Sequence, residues 1–187
     1  MTAILIILGI VVVLVLFGIG AYNGLVRFRQ QVENAWAQID VQLKRRYDLI
    51  PNLVETVKGY MNFEQETLQK VIEARSAAMS AQGPKAKAAA EGQLTQALGG
   101  IFAVAEAYPE LKSNTNMLQL QEELSTTENK IAYSRQFYND SVMEYNTKTE
   151  QFPSSIFANM FGFKKKELFE LVDPVQREAV KVDFTSK

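Results

Sequence analysis

The sequence predicts an all-α protein: an N-terminal transmembrane helix continuous with an antiparallel four-helix bundle, then a C-terminal amphipathic or extended tail. Three observations carry this. MTAILIILGIVVVLVLFGIGAYNGLV has no charged side chain before Arg27. Beyond it, apolar residues recur at steps of three, four and seven nearly to residue 150, the spacing of one helical face. Strand-type alternation of useful length does not occur before residue 170.

Residues 3–21 include 14 from Leu, Ile, Val and Phe. As a helix they span about 28 Å, close to a hydrocarbon core of about 30 Å. At about −0.3 to −0.6 kcal/mol each they favour insertion by roughly 4 to 8 kcal/mol. The rival reading is a cleaved signal peptide. It fits poorly, because no Lys or Arg precedes the run and the run exceeds a usual h-region. Residues 1–24 are therefore read as a retained anchor. Arg27 and Arg29 follow it directly, with Lys44, Arg45 and Arg46 beyond. The positive-inside rule then places the C-terminal domain in the cytoplasm and the short N-terminus outside.

The bundle is expected over 22–150. Leu25, Val32, Trp36, Ile39 and Leu43 mark the first face, and Leu53, Val54, Val57, Tyr60, Met61, Leu68, Val71 and Ile72 the second. Pro51 separates them. An internal proline lacks the N–H donor and clashes with the preceding turn, so it either kinks a helix or ends it. A continuous rod to residue 81 would leave half its length without partners, at about 25 cal/mol per Å² of apolar face in water. A turn at Pro51 is the favoured reading, with the proline in the first turn of the next helix. The expected helices are about 22–48, 51–81, 84–108 and 114–149. This even count returns the tail, 151–187, to the membrane end. The loop with Lys85 and Lys87 would lie there too, and the loops near 47–51 and 109–115 at the distal tip.

Net charge is −1, and the 187 residues include no Cys and no His. This argues against a nucleic-acid partner and removes disulfides, Cys nucleophiles and the Ser–His arrangement. A di-carboxylate metal site from Glu122, Glu123 and Glu128 with Glu64 or Glu66 would lack the histidines such sites use. We find no phosphate loop or nucleophile elbow. The expectation is a non-enzyme without cofactor or metal.

PSSIFANMFGFKKKELF sets Phe157, Phe161 and Phe163 beside Lys164, Lys165 and Lys166. Apolar side chains next to a lysine cluster suit the headgroup layer of anionic lipid, with Arg27 and Arg29 at the same surface. The same residues also suit a plain hydrophobic cap on the bundle. Gly20 and Gly24 form a small-xxx-small pair that would let subunits approach closely. Lys44, Arg45 and Arg46, at the expected distal tip, read as a partner-docking site or as cations at a helix C-terminus. Tyr138-Asn139 recurs seven residues later as Tyr145-Asn146, an interface or a hydrogen-bonding row that specifies the core.

The chain resembles the LemA family of bacterial membrane proteins. The resemblance lies in YNGLVRFRQQVENAWAQIDVQLKRRYDLIPNLVETVKGY, VIEARSAA, ALGGIFAVAEAYPELKSN, LQEELSTTENKIAYSRQFYNDSVMEYNT, FPSSIFANMFGFKKKELFE and VKVDF. It implies a single span carrying a helical bundle, with no catalytic residues to transfer. It also implies a link to magnetosome membrane formation in one branch, and frequent neighbourhood with a membrane metalloprotease. The expected function is a homo-oligomeric membrane-anchored scaffold that shapes or organises the membrane. The alternative is a tethered adaptor for a membrane protease or signalling partner, bound through the basic tip.

Overall fold

The computed structural model describes residues 1–60 and 65–170; all its regular structure among these is helical. α1 runs unbroken from Thr2–Lys58. Its first third is apolar on every side, with a window of mean hydropathy 3.2 of which nothing is buried. A soluble core helix would bury such a stretch. From Leu25 onward one stripe faces inward: Val32, Ile39, Leu43, Ile50, Val54 and Val57.

α2 (Gln65–Ser80) and α3 (Pro84–Ala105) form a hairpin. Gly83 turns it at φ 80, and Pro84 starts α3, where a missing N–H is harmless. A single turn, α4 (Pro109–Lys112), leads to Asn114. The Asn114 side chain caps α5 (Thr115–Glu150) by accepting from the N–H groups of Asn116 and Met117. It also donates to the Tyr60 hydroxyl at 3.0 Å, tying the top of α1 to the start of α5. α5 runs back along α1: Arg45 meets Glu123, Arg46 meets Glu128, and Gln31 meets Ser141 and Glu144. α6 (Ser154–Met160) follows, then residues 163–170 without regular structure.

The chain does not turn at Pro51. The expected helices 22–48 and 51–81 are instead α1 and the shorter α2, with the reversal after Gly59. Two features make the proline tolerable. The buried stripe keeps its phase across it, Leu43, Tyr47, Ile50, Val54 and Val57, so continuing the helix keeps the same face inward. The carbonyl that Pro51 orphans belongs to Tyr47, four residues back. Arg75 Nε of α2 donates to it at 2.8 Å. Arg75→Met should therefore lose about 1–3 kcal/mol, the cost of an unsatisfied buried acceptor. Pro51→Ala should restore most of that loss, because residue 51 regains its N–H. Urea unfolding of the four-member cycle measures this, and strictly additive losses would contradict it.

The later reversal moves two expected landmarks. Residues 44–46 lie about 18 Å below the end of α1 rather than at the tip. The α2–α3 turn sits beside Val32, Trp36 and Asp40 of α1, so Lys85 and Lys87 do not reach the apolar run of α1. Lys87 instead donates to the Ala78 carbonyl and lies over the Tyr47 ring. The count of reversals is unchanged, so α5 still descends and α6 meets the apolar part of α1. Residues 171–187 of the expected tail, including VKVDF, lie outside the described residues, as does Glu64.

Candidate functional site: a collar on the apolar helix

α6 lies against α1 one to two turns below Gly24. Phe157 packs on Gly18, where an added Cβ would come within 3.0 Å of its ring, and its centroid is 6.2 Å from that of Phe17. Tyr22 meets Phe161 edge-on at 4.9 Å and Phe163 at 5.7 Å. The Arg29 guanidinium stands 5.3 Å over the Phe163 ring. Ala158 is buried in this contact. The outer side of the collar is greasy: Phe152 is 77 % exposed, Met160 68 %, Phe161 55 % and Ile156 51 %. Gly162, at φ 71, turns the chain upward after Phe161.

The tail then climbs α5, held by the repeated Tyr-Asn pairs. The Tyr145 hydroxyl donates to the Lys164 carbonyl at 3.0 Å, and that of Tyr138 to the Glu167 carbonyl at 2.8 Å. Asn146 donates to the Lys166 carbonyl and accepts from the Lys166 N–H, both at 2.9 Å. Asn139 treats Phe169 in the same way, at 3.2 and 2.8 Å. Seven helical residues rise about 10.5 Å and three extended residues about 10 Å, so the heptad on α5 matches a three-residue step of the tail. The row is therefore a clamp on the tail's backbone. It grips the carbonyls of Lys164 and Lys166 and leaves those ammonium groups exposed, while Lys165 pairs with Glu150 at 2.5 Å.

Asn139→Leu or Asn146→Leu should each cost about 1–3 kcal/mol of tail docking, since each leaves main-chain groups unsatisfied. Hydrogen exchange at the Phe169 or Lys166 amide, respectively, reads that loss directly. Burial pushes the Tyr138 phenol up to about 12 from its ordinary value near 10, with Glu167 adding to the rise. A phenol raised on folding stabilises docking fully below about pH 10, and that contribution fades as pH rises through about 12. Protection of these amides, corrected for intrinsic exchange, should thus owe no change to Tyr138 between pH 6 and 9.

Lys44, Arg45 and Arg46 do not form an accessible basic tip. Lys44 pairs with Asp48 and Arg45 with Glu123 on the surface. Arg46 is only 4 % exposed. It bridges Glu91 and Glu128, each at 3.0 Å, and donates to Thr95 Oγ1 at 2.7 Å. The Tyr47 hydroxyl donates to the other Glu91 oxygen. Burial holds the Glu91 carboxyl above the ordinary range despite Arg46, and burial with the Glu91 contact raises the Tyr47 phenol. This knot fastens the α2–α3 hairpin to the α1–α5 pair. Arg46 read as a tip cation because sequence spacing hides which face an arginine takes.

Gly20 and Gly24 line a shallow groove beside the α5–α6 turn. Arg27 is exposed and forms no ion pair among the described residues. Of the carboxylates weighed for a metal, Glu66, Glu123 and Glu128 pair with Lys70, Arg45 and Arg46.

The LemA family model matches residues 35–184, four-fifths of the chain. The chain belongs to the LemA family. Protein LemA of Metamycoplasma hominis is 28 % identical over 153 residues, covering 81 % of this chain and 70 % of that protein. Magnetosome protein MamQ 2 of Paramagnetospirillum magneticum is 25 % identical over 175 residues, covering 80 % and 64 %. Magnetosome protein MamQ of Magnetospirillum gryphiswaldense is 25 % identical over 174 residues, covering 79 % and 64 %. The matched region thus spans just under two-thirds of the MamQ proteins' length. The LemA family match takes in the clamp, the knot and Pro51, and begins after the apolar segment.

Proposed function

We propose that this LemA-family chain is a homo-oligomeric, membrane-anchored scaffold that shapes or organises the bacterial inner membrane, with its helical domain in the cytoplasm. One observation carries the reading: α6 and its phenylalanines are seated on α1 at Phe17, Gly18 and Tyr22, within the apolar run. If α1 spans the bilayer, Ile156, Met160 and Phe161 enter only the cytoplasmic leaflet, at the depth interfacial helices reach, about 5–10 Å. Widening one leaflet favours curvature. Arg27, Arg29 and Lys164 stand next to the collar and form no ion pairs among the described residues. Each adds about 1 kcal/mol near an anionic surface. The MamQ relatives, named as magnetosome proteins, fit a membrane-organising role.

Reconstitution of the full-length chain in vesicles of equal phosphatidylglycerol and phosphatidylcholine tests this. Ordered assemblies and altered vesicle shape are expected, and Phe161→Ala with Met160→Ala should weaken the shape change while the helical domain stays folded. Monodisperse monomers that leave vesicles unchanged would overturn the proposal.

A further inference from the structure

We propose that the groove between α1 and the α5–α6 turn binds one anionic phospholipid per chain, acyl chain along the floor and phosphate at the rim. The inference deepens the scaffold reading and rests on its placement of α1 across the bilayer. The groove measures about 370 Å³. It exists because the turn at Phe152 and Pro153 stands away from α1 before α6 closes onto Gly18. Gly20, Ala21 and Gly24 form the floor, and an added Cβ at Gly20 or Gly24 would meet nothing within 4 Å. Phe17 and Phe28 of α1 bracket the glycines along the helix, and Phe152 lines the groove from the α5–α6 turn.

The upper end is polar and cationic. Gln31 lies beside Ser141 and Glu144, so antiparallel descent brings Lys148 down to the level of the groove mouth, where it joins the lining with Gln151. Among the described residues the Lys148 ammonium has only the neutral Gln151 oxygen as partner, at 3.3 Å. Arg27 follows Gly24 by three residues, on the same helix face. No carboxylate lines the groove. An apolar channel inside the leaflet, opening on a lysine at headgroup level, complements a lipid carrying negative charge. A second copy's α1 fits less well. The bulky Phe28 and Phe152 line the groove together with the glycines, which disfavours the close backbone approach that a small-xxx-small contact needs. A facing copy would also bring its own Arg27 and Lys148 toward these two.

Native mass spectrometry of the full-length chain released from nanodiscs of equal phosphatidylglycerol and phosphatidylcholine tests the site. The wild type should retain one phosphatidylglycerol per chain. Gly24→Leu, which fills the floor, should cut retention about tenfold with the helical content unchanged. Arg27→Gln with Lys148→Gln should keep a lipid but lose the preference for the anionic one. Three results would overturn the site: no retained lipid in the wild type, retention indifferent to Gly24→Leu, or loss of oligomer mass in Gly24→Leu with lipid retention intact. The last would assign the groove to a second copy. Selective retention by a protein that leaves vesicles unshaped upholds the site and removes the scaffold reading alone.

Discussion

Arg46→Met should destabilise the helical domain by about 3–5 kcal/mol, the usual loss when one partner of a buried ion pair is removed. Arg46 is the cation that Glu91 and Glu128 share, and Thr95 takes its second nitrogen. Without it Glu91 stays buried with the Tyr47 hydroxyl as its remaining short contact. Burial already raises the Glu91 carboxyl, and losing the guanidinium raises it further. A carboxyl raised on folding favours the native state at low pH, and that contribution fades as pH climbs through its folded value. The loss should therefore be smaller at pH 5 than at pH 8. Adding Glu91→Gln should recover much of it, since a neutral amide has less to lose by burial. Urea unfolding followed through Trp36, the one tryptophan, gives both numbers. A loss below about 1 kcal/mol, or one indifferent to pH, would mean the knot does not fasten the hairpin.

Phe169→Ala should free the tail from α5. Among the described residues of the climbing segment, Phe169 is the only one whose side chain is fully buried. Its ring lies 6.0 Å from Trp36, and Arg135 stands 5.0 Å over its face. Truncating a buried phenylalanine costs about 3–5 kcal/mol. The effect is local, because the tail can open while the helices stay packed. Trypsin cleavage at Lys164–Lys166 in the extracted protein should quicken by about a hundredfold or more, following the population of the open form. Trp36 emission should shift as its neighbour leaves. Unchanged cleavage would show that the polar clamp alone holds the tail.

The helical periodicities were enough to read an all-helical chain with a long apolar helix at its N-terminus. Pro51 misled the placement of one reversal. Its neighbours stay in phase across it, which is visible in the sequence. Arg75, which takes over the orphaned carbonyl, lies 24 residues away, and no local pattern ties the two together. The same limit explains Arg46: KRR at consecutive positions does not say which arginine turns inward, and its acids come from α3 and α5. The Tyr-Asn heptad was legible as a hydrogen-bonding row. Its ligand was not, because it reads backbone groups, which leave no trace in residue identity. The Phe/Lys segment read equally as a membrane-surface segment or as a cap on the bundle, and its seat on Gly18 required the fold.

The central claim is that the collar lies inside the cytoplasmic leaflet beside α1. The chain has no cysteine, so a single label at Met160, exposed and away from the clamp, can report its own depth. In vesicles, a nitroxide there should sit about 5–10 Å below the lipid phosphates, relaxed by oxygen and shielded from a water-soluble nickel complex. A label at Lys112, on α4 at the far end, should show the opposite preference. Equal access of nickel to both positions would contradict the account.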